Sequence, residues 1–576
     1  MITGETDILD PRVYNAKYSK KKQDPDTPTF NQALGVLEAD KYIEAMKEEI
    51  TNLKRMDTWI LVDRNPKMTI LKGTWAFKLK RTPDGVAYRH RSRFCVRGDQ
   101  QEYGVNYFET FAPVVQWSTI RIMLILIITN KWVTRVIDYT NAFPQADIDT
   151  DIYVETPAMF GSKKGTDKVL KLKKSLYGLK QSPRTFYQHL SKGLTKRGWT
   201  PSDIDPCLFM KENMICVVYV DDTIFTGPDQ AAIDNEIRLL GMRRYDEKRP
   251  FEFRDEGEIS AFLGIKIDQQ GGNEYHLSQP GLIKKVLKAA GMEDCKPNLT
   301  PANIELLGPS LESPVLNETW EYGSIIGMLM YLANNSRPDI AHAVHACARY
   351  THNPRQPHAT AVKHILRYLQ VTKNKGMVIT PNLTEDSLDC YVDSDFAGNY
   401  NSYNDQDPTS TKSRTGYVIL YKGCPVLWVS KMQTQNALST MESEYLALSQ
   451  SMRDLIPLRE ILKELKTTVF KQIEVKQKCS SKSKSFSDIV TEENESPIPK
   501  SKVYEDNAAC LKFARLPRLT PRTKHIAVPY HWFRAKVEQM EISVEPIATE
   551  NQLADQFTKP LTYDKFVKAR KELMGW

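Results

Sequence analysis

The apolar positions of this chain come in short blocks that stop at acids. Ile215-Cys216-Val217-Val218 runs into Tyr219-Val220-Asp221-Asp222, and Thr223-Ile224-Phe225 resumes at once. That pattern predicts a tight β-hairpin with the Asp pair at its turn. Val136-Ile137 halts in the same way at Asp138, and Cys390-Tyr391-Val392 at Asp393. Elsewhere the period is helical. Asp40 to Met56 is predicted as a helix, followed by the strand-like run Thr58-Trp59-Ile60-Leu61-Val62. Residues 64 to about 245 alternate strands and helices. Ser278 is expected to cap a helix that has Pro280 in its first turn, the stripe Ile283, Val286, Leu287 and Ala290, and Gly291 at its end. Tyr322 to Asn334 and Pro338 to Thr351 read as helices, and from Leu388 the strand signal returns. The longest apolar stretch, Ile122 to Ile128, is too short to span a bilayer and predicts a buried helix. No period of about 20 to 50 residues suggests a repeat protein.

Two adjacent carboxylates repel by roughly 4 kcal/mol at about 4 Å and an effective dielectric near 20. A fold that holds them together commonly does so for a divalent cation. An Asp-rich turn is also an ordinary hairpin feature, so a third acid matters. Asp138, in Val136-Ile137-Asp138-Tyr139-Thr140-Asn141-Ala142-Phe143, supplies one. Two ions bridged by carboxylates from separate strands suit nucleotidyl transfer.

At 576 residues the chain is too long for one core, and two to four domains are expected. A net charge of +8 allows a polyanionic partner without requiring one. Arg81, Arg89, His90, Arg91, Arg93 and Arg97 cluster in one segment, either as a patch facing phosphate or as a solvated basic hairpin. Nine cysteines form no CxxC pair, which favours free cytosolic thiols over disulfides or zinc. The start, Met1-Ile2-Thr3-Gly4-Glu5, has no apolar core of a signal peptide, and a soluble chain is expected.

Asp138 with Phe143 five positions on, followed by Tyr219-Val220-Asp221-Asp222, resembles the palm of a reverse transcriptase. Longer strings resemble copia-type LTR retrotransposon Pol polyproteins: Glu109 to Val115 before Trp117-Ser118-Thr119-Ile120-Arg121, Ser175-Leu176-Tyr177-Gly178-Leu179-Lys180-Gln181-Ser182-Pro183-Arg184, and Phe262-Leu263-Gly264-Ile265. The resemblance runs from about Thr29 to about Leu561. It implies a multidomain α+β fold, a right-hand polymerase followed by a helical connection and an α/β ribonuclease H-like domain. The boundaries it suggests are a disordered leader at 1–27, fingers and palm at 28–245, and a thumb-like region at 246–302. A connection at 303–385 would follow, then the ribonuclease H-like domain at 386–562 with an insertion at about 476–502, and a tail at 563–576. The helix at Ile122 to Ile128 would lie behind the palm.

The family's roles carry over residue by residue. Asp138, Asp221 and Asp222 would hold the polymerase metals, and Phe143 would be the aromatic gate against a ribose 2′-hydroxyl. Arg91 or Arg93 would bind the triphosphate, with Tyr177 and Gly178 under the incoming nucleotide. Phe262, Leu263 and Gly264 look like the primer grip. Asp393, Glu444, Asp506 and Asp555 resemble the four acids of ribonuclease H, which cut the RNA strand of a hybrid with two ions. Glu442 competes with Glu444, although Ser439 and Glu442 also make a capping box. Thr523-Lys524-His525-Ile526 is copia-like, and His525 would either aid product release or be structural. The segment Gly398 to Ser413 is longer than the family pattern.

The cofactor implied is Mg2+, two ions per active site, with Mn2+ as the alternative. The partners implied are an RNA template, a DNA primer, the RNA–DNA hybrid and deoxynucleoside triphosphates, without a membrane, together with a second copy of the chain or an integrase domain of the same polyprotein. The expected place is a cytoplasmic virus-like particle, with a nuclear product. The expected function is RNA-directed DNA polymerase with ribonuclease H activity. The alternative is a catalytically retired, domesticated copy that binds nucleic acid, and an RNA-templated RNA polymerase is disfavoured by Phe143. No protease signature or zinc-binding integrase head is seen.

Overall fold

The computed structural model describes residues 26–35, 38–81, 87–157, 160, 167–305, 307–310, 312–400, 409–470, 498, 500–515 and 532–576. Its contacts divide them into two compact units. One is built from the described residues up to Val115 and from Val133–Ile259, the other from Gln116–Trp132 and Ser260–Trp576. The expected leader, His525 and most of the expected insertion lie outside the described residues. Ser501 and Lys502, assigned to that insertion, instead open a strand.

In the first unit, β1 (Gly73–Arg81) and β2 (Ala87–Val96) form an antiparallel hairpin. Helix α1 (Ala39–Arg55) lies on it because Tyr42, Met46, Ile50 and Leu53 recur at helical spacing and are all buried. Tyr42 meets the Phe77 ring edge-on at 5.4 Å. Each such apolar side chain contributes roughly 1.5–3 kcal/mol by its burial.

The main sheet comprises β3 (Val133–Tyr139), β4 (Thr200–Pro201), β5 (Leu208–Lys211), β6 (Met214–Tyr219), β7 (Asp222–Gly227) and β8 (Phe253–Gly257), in the order β8-β3-β7-β6-β5-β4. Every pairing is antiparallel. The helices Ser182–Thr195 and Gln230–Leu240 send Phe186, Leu190, Leu194, Ile233, Ile237 and Leu240 into a core shared with Tyr139, Cys216, Val218 and Phe225.

In the second unit, helix α2 (Trp117–Asn130) is buried from Ser118 to Ile128. By its contacts it belongs with the second unit. The reason is visible at Arg121. Its guanidinium donates to the carbonyls of Val426 (2.8 Å), Asn334 (2.7 Å) and Asn335 (3.0 Å), and stacks 4.0 Å from the Trp428 ring. A buried cation needs such acceptors, and this unit supplies them.

The strands Ala261–Phe262, Ile265–Gln270, Glu274–Ser278 and Met377–Ile379 make a four-stranded antiparallel sheet. Ser278, expected as a helix cap, ends the third of these. Gln279 takes the cap position without a side-chain bond, ahead of Pro280. Gly291 does lie just past that helix, at φ +64°.

The larger sheet contains β9 (Leu388–Asp395), β10 (Arg414–Tyr421), β11 (Cys424–Met432), β12 (Ser501–Glu505) and β13 (Ile542–Pro546), ordered β11-β10-β9-β12-β13. β9, β12 and β13 run parallel, while β10 and β11 are antiparallel. Helix α3 (Thr440–Leu465) packs on β9 and β10. Residues expected as a tail form a helix, Tyr563–Met574, whose Phe566 meets Tyr368 at 5.7 Å. No helix among the described residues is long and apolar enough to cross a membrane.

Candidate active sites

The Asp pair sits where its sequence pattern requires. Tyr219 pairs with Asp222, leaving Val220-Asp221 as a two-residue turn. Val220 adopts φ +51°, a region costly for a β-branched residue, so the surrounding sheet must hold the turn in place. Across the next ladder Asp222 faces Asp138, and the Tyr139 amide donates to the Asp221 carbonyl at 2.8 Å. Backbone register thus sets Asp138 and Asp222 side by side with Asp221 at the adjoining turn.

Asp221 and Asp222 are buried and Asp138 is half-buried. Burial, then the Asp221 charge, raises the Asp138 carboxyl. Burial, then Asp221 and Asp138, holds Asp222 well above the usual carboxylate range. Its Oδ2 is buried without a hydrogen-bond partner. Such an oxygen is left to water, a proton or a cation.

The β1–β2 hairpin presents Arg91 opposite Lys78 and Arg93 opposite Ala76. The two arginines lie on one face of β2, two positions apart. Burial, then the Arg93 charge, lowers Arg91, and Asp221 and Asp138 counter this. The Arg93 guanidinium lies 4.4 Å from the Tyr177 ring, a cation–π contact. Tyr177 also stands 5.1 Å from Phe143. Phe143 is 3% exposed and meets Phe186 edge-on, so its ring is part of the core.

Gly178 has φ +91°, and a Cβ there would lie 2.1 Å from the Val96 carbonyl oxygen. Only glycine allows the Tyr177–Gly178 segment to approach β2 this closely, where the Val96 amide donates to the Tyr177 carbonyl at 2.8 Å.

In the second unit, Phe262 pairs with Ile265 around Leu263-Gly264, at φ +51° and +71°. Tyr331 Oη donates to the Leu263 carbonyl at 2.6 Å and pins this turn.

The second acid cluster draws on separate elements: Asp393 from β9, Glu444 from the first turns of α3, and Asp506 from just beyond β12. One carboxylate oxygen of each lies within 4.8 Å of the others. Burial, then the neighbouring Glu505 and Asp393 charges, holds Glu444 well above its ordinary range, and its Oε2 is buried without a hydrogen-bond partner. Asp393 rises to about 6 through burial, against the pull of Lys559. Thr549 Oγ1 donates to Asp506 at 2.8 Å.

Glu442 is occupied otherwise. Its Oε2 accepts the Leu438 amide at 2.8 Å and its own amide donates to the N-cap Ser439 Oγ at 3.2 Å, so the expected capping box forms with its carboxylate on the residue before the cap and not on Ser439 itself. Asp555 opens the short helix Asp555–Thr558 and stands outside the three-acid set, paired with Lys559 at 2.8 Å. It remains Asp393's neighbour, because Thr558 donates to Asp393 and Lys559 Nζ lies 3.9 Å from it.

Three contributors here were not singled out from sequence. Lys559 is the counter-charge between Asp393 and Asp555. Glu505 is fully buried, and burial lifts it to about 8. Gly416, which pairs with Asp393, leaves room for Thr558, since a Cβ would lie 2.6 Å from its methyl carbon. Only Glu505, an acid just before Asp506 at the end of a short strand, carried a legible signal.

Residues 56–304 match the family described as "Reverse transcriptase (RNA-dependent DNA polymerase)". The chain is 32% identical over 582 residues to the "Retrovirus-related Pol polyprotein from transposon TNT 1-94" of Nicotiana tabacum, covering 98% of this chain and 40% of that one. It is also 32% identical to the Pol polyprotein from transposon RE1 of Arabidopsis thaliana, covering 93% of this chain and 34% of that one. It therefore spans roughly two-fifths or less of these relatives' length. A solved foamy viral protease-reverse transcriptase in complex with RNA/DNA hybrid aligns with TM-score 0.46 at 14% identity, over 89% of this chain and 54% of that one.

Proposed function

We propose that this chain, which belongs to the copia-type retrotransposon Pol polyproteins, is an RNA-directed DNA polymerase with ribonuclease H activity. The observation that carries the polymerase reading is the Asp138–Asp222 pair set by strand register, with Asp221 at the turn and Asp222 Oδ2 buried without a hydrogen-bond partner.

The donor set at both clusters is carboxylate oxygen, which fits hard divalent cations such as Mg2+, or Mn2+, and not soft metals. Asp138, Asp221 and Asp222 would hold the ions at one site; Asp393, Glu444, Asp506 and the adjoining Asp555 would hold them at the other. Bound there, such ions lower the pKa of a hydroxyl or water and neutralise charge on the leaving group.

The residues themselves orient and select. Arg91 and Arg93 offer planar guanidinium groups to phosphate oxygens. Tyr177 backs Arg93 and Phe143 packs behind Tyr177 in the core, so a gate favouring deoxyribose over ribose would act through the position this buried ring pair gives the segment above it. The Leu263-Gly264 turn would position a primer end by packing. At the second cluster, Lys559 balances the negative charge beside Asp393 and Thr558 fixes that carboxylate's direction. RNA template, DNA primer and their hybrid would be held chiefly by backbone contacts.

The test is Mg2+-dependent deoxynucleotide incorporation on poly(rA) with an oligo(dT) primer. Incorporation by the wild type that is lost in Asp221→Asn/Asp222→Asn supports the polymerase. A folded protein that binds the hybrid yet incorporates nothing overturns it in favour of a retired, nucleic-acid-binding copy.

A further inference from the structure

Strand β8 is the edge of the main sheet, and its Arg254 is directly paired with Asp138. Asp138 is in turn paired with Asp222 on its other side. Directly opposed residues of antiparallel strands project from the same face with Cβ atoms about 5 Å apart. One face therefore carries Asp222, Asp138 and Arg254 in a row, running from a buried acid through a half-buried acid to an exposed cation. The acids of β8's own neighbourhood are already engaged: Glu252 with Arg55 at 2.6 Å and Asp255 with Arg135 at 3.7 Å. Among the described residues the Arg254 guanidinium makes no hydrogen bond or ion pair. It is an exposed, unengaged planar cation held by strand register beside the carboxylate proposed to hold the metal.

We propose that Arg254 binds a phosphate oxygen of the polymerase's substrate at the Asp138 side of the site. A guanidinium on a rigid strand can take phosphate bidentately, and the adjoining acids repel phosphate unless a cation bridges them, so a contact here also orients the phosphate. The inference rests on the polymerase reading. The phosphate has two sources, the nucleic-acid backbone near the primer end and the triphosphate of the incoming nucleotide.

Wild type, Arg254→Ala and Arg254→Lys are compared by fluorescence anisotropy with a labelled oligo(dT)–poly(rA) duplex across a salt series, and by steady-state incorporation of dTTP. Unchanged thermal unfolding of Arg254→Ala establishes that the exposed site folds. If the contact is to the nucleic-acid backbone, Arg254→Ala weakens duplex binding by roughly three- to tenfold, lowers the salt slope by about one, and is largely rescued by Lys. If it is to the nucleotide, KM for dTTP rises by a similar factor while duplex binding holds. Duplex affinity and KM both within about twofold of wild type overturn the proposal, and so does a loss confined to kcat with a shifted Mg2+ requirement, which would make Arg254 only a counter-charge to Asp138. A wild type that binds duplex but incorporates nothing defeats the polymerase reading alone, because the anisotropy arm still reads Arg254.

Discussion

In the first unit two acids are laid side by side by a backbone ladder, whereas in the second a strand, a helix and a strand end each contribute one. Asp222 faces Asp138 because β7 pairs with β3, so their spacing follows from hydrogen bonds that any side chains would permit. Asp393, Glu444 and Asp506 instead meet through packing of α3 on the sheet, with one carboxylate oxygen of each within 4.8 Å of the others. The ladder tolerates change in the core but not in register. The packed cluster tolerates little change in the surfaces that press its elements together, and it carries its own counter-charge in Lys559.

The sharpest way to break the comparison is to disable one cluster at a time. Asp222→Asn is expected to lower incorporation by about a thousandfold or more while leaving hybrid cleavage within about twofold, and Glu444→Gln is expected to do the reverse. Gel assays of primer extension and of labelled-RNA cleavage on the same preparations read both. Loss of both activities from either variant would mean that the clusters do not act separately.

Two glycines test the supports. At Gly178 a new Cβ would strike the Val96 backbone at 2.1 Å; at Gly416 it would strike Thr558 and Phe557 side-chain atoms at 2.6 and 2.9 Å and come within 3.1 Å of the Ala554 carbonyl. Gly178→Ala should cost roughly 3 kcal/mol or more, adding a strained φ to the clash. Gly416→Ala should cost less, roughly 1–3 kcal/mol, and slow hybrid cleavage selectively by displacing Thr558. Denaturant melts rank the two.

A pH-dependent effect, confined to one window, belongs to the first unit. Glu49 on α1 is buried, and burial, opposed by the Arg93 charge, raises it from 4.5 to about 7. A carboxyl raised in the native state binds its proton more tightly there than in the unfolded chain. Its contribution is therefore complete below about pH 4.5 and is lost as pH rises through about 7, a change of up to about 3 kcal/mol. Glu49→Gln should flatten stability across that window in urea melts at each pH, and an unchanged profile would show that Glu49 does not titrate there.

Much of both sites was legible because their acids follow short apolar blocks, although the strands run on past Asp138 to Tyr139 and past Asp393 to Asp395. The apolar blocks before Asp138, Asp221 and Asp393 mark the strands that carry or precede these acids, and the spacing Ser439-x-x-Glu442 identified a capping acid beside Glu444. Ser278 misled because it has the right residue type at the right distance from Pro280, while its backbone was claimed by a ladder with Lys266. Arg254 and Lys559 were invisible because an isolated basic residue carries no periodic signal. Their importance comes from the neighbour across a strand, or from a helix turn that returns to the sheet.

What the sequence determined by itself was local: the hairpin that presents Asp221 and Asp222, the strands that carry Asp138 and Asp393 near their ends, and the helix start that carries Glu444. Period, capping and turn chemistry act over a few residues, so they can be read in one dimension. What only the tertiary structure decided was assignment and adjacency. Helix α2, apolar on nearly every face, carries no directional stripe to say which unit will bury it, and the carbonyls that receive Arg121 settled the matter. The pairing of Arg254 with Asp138 and the convergence of Glu444 on Asp393 likewise depend on which strands and helices meet, a choice made by the summed burial of the core and not by the residues at the site.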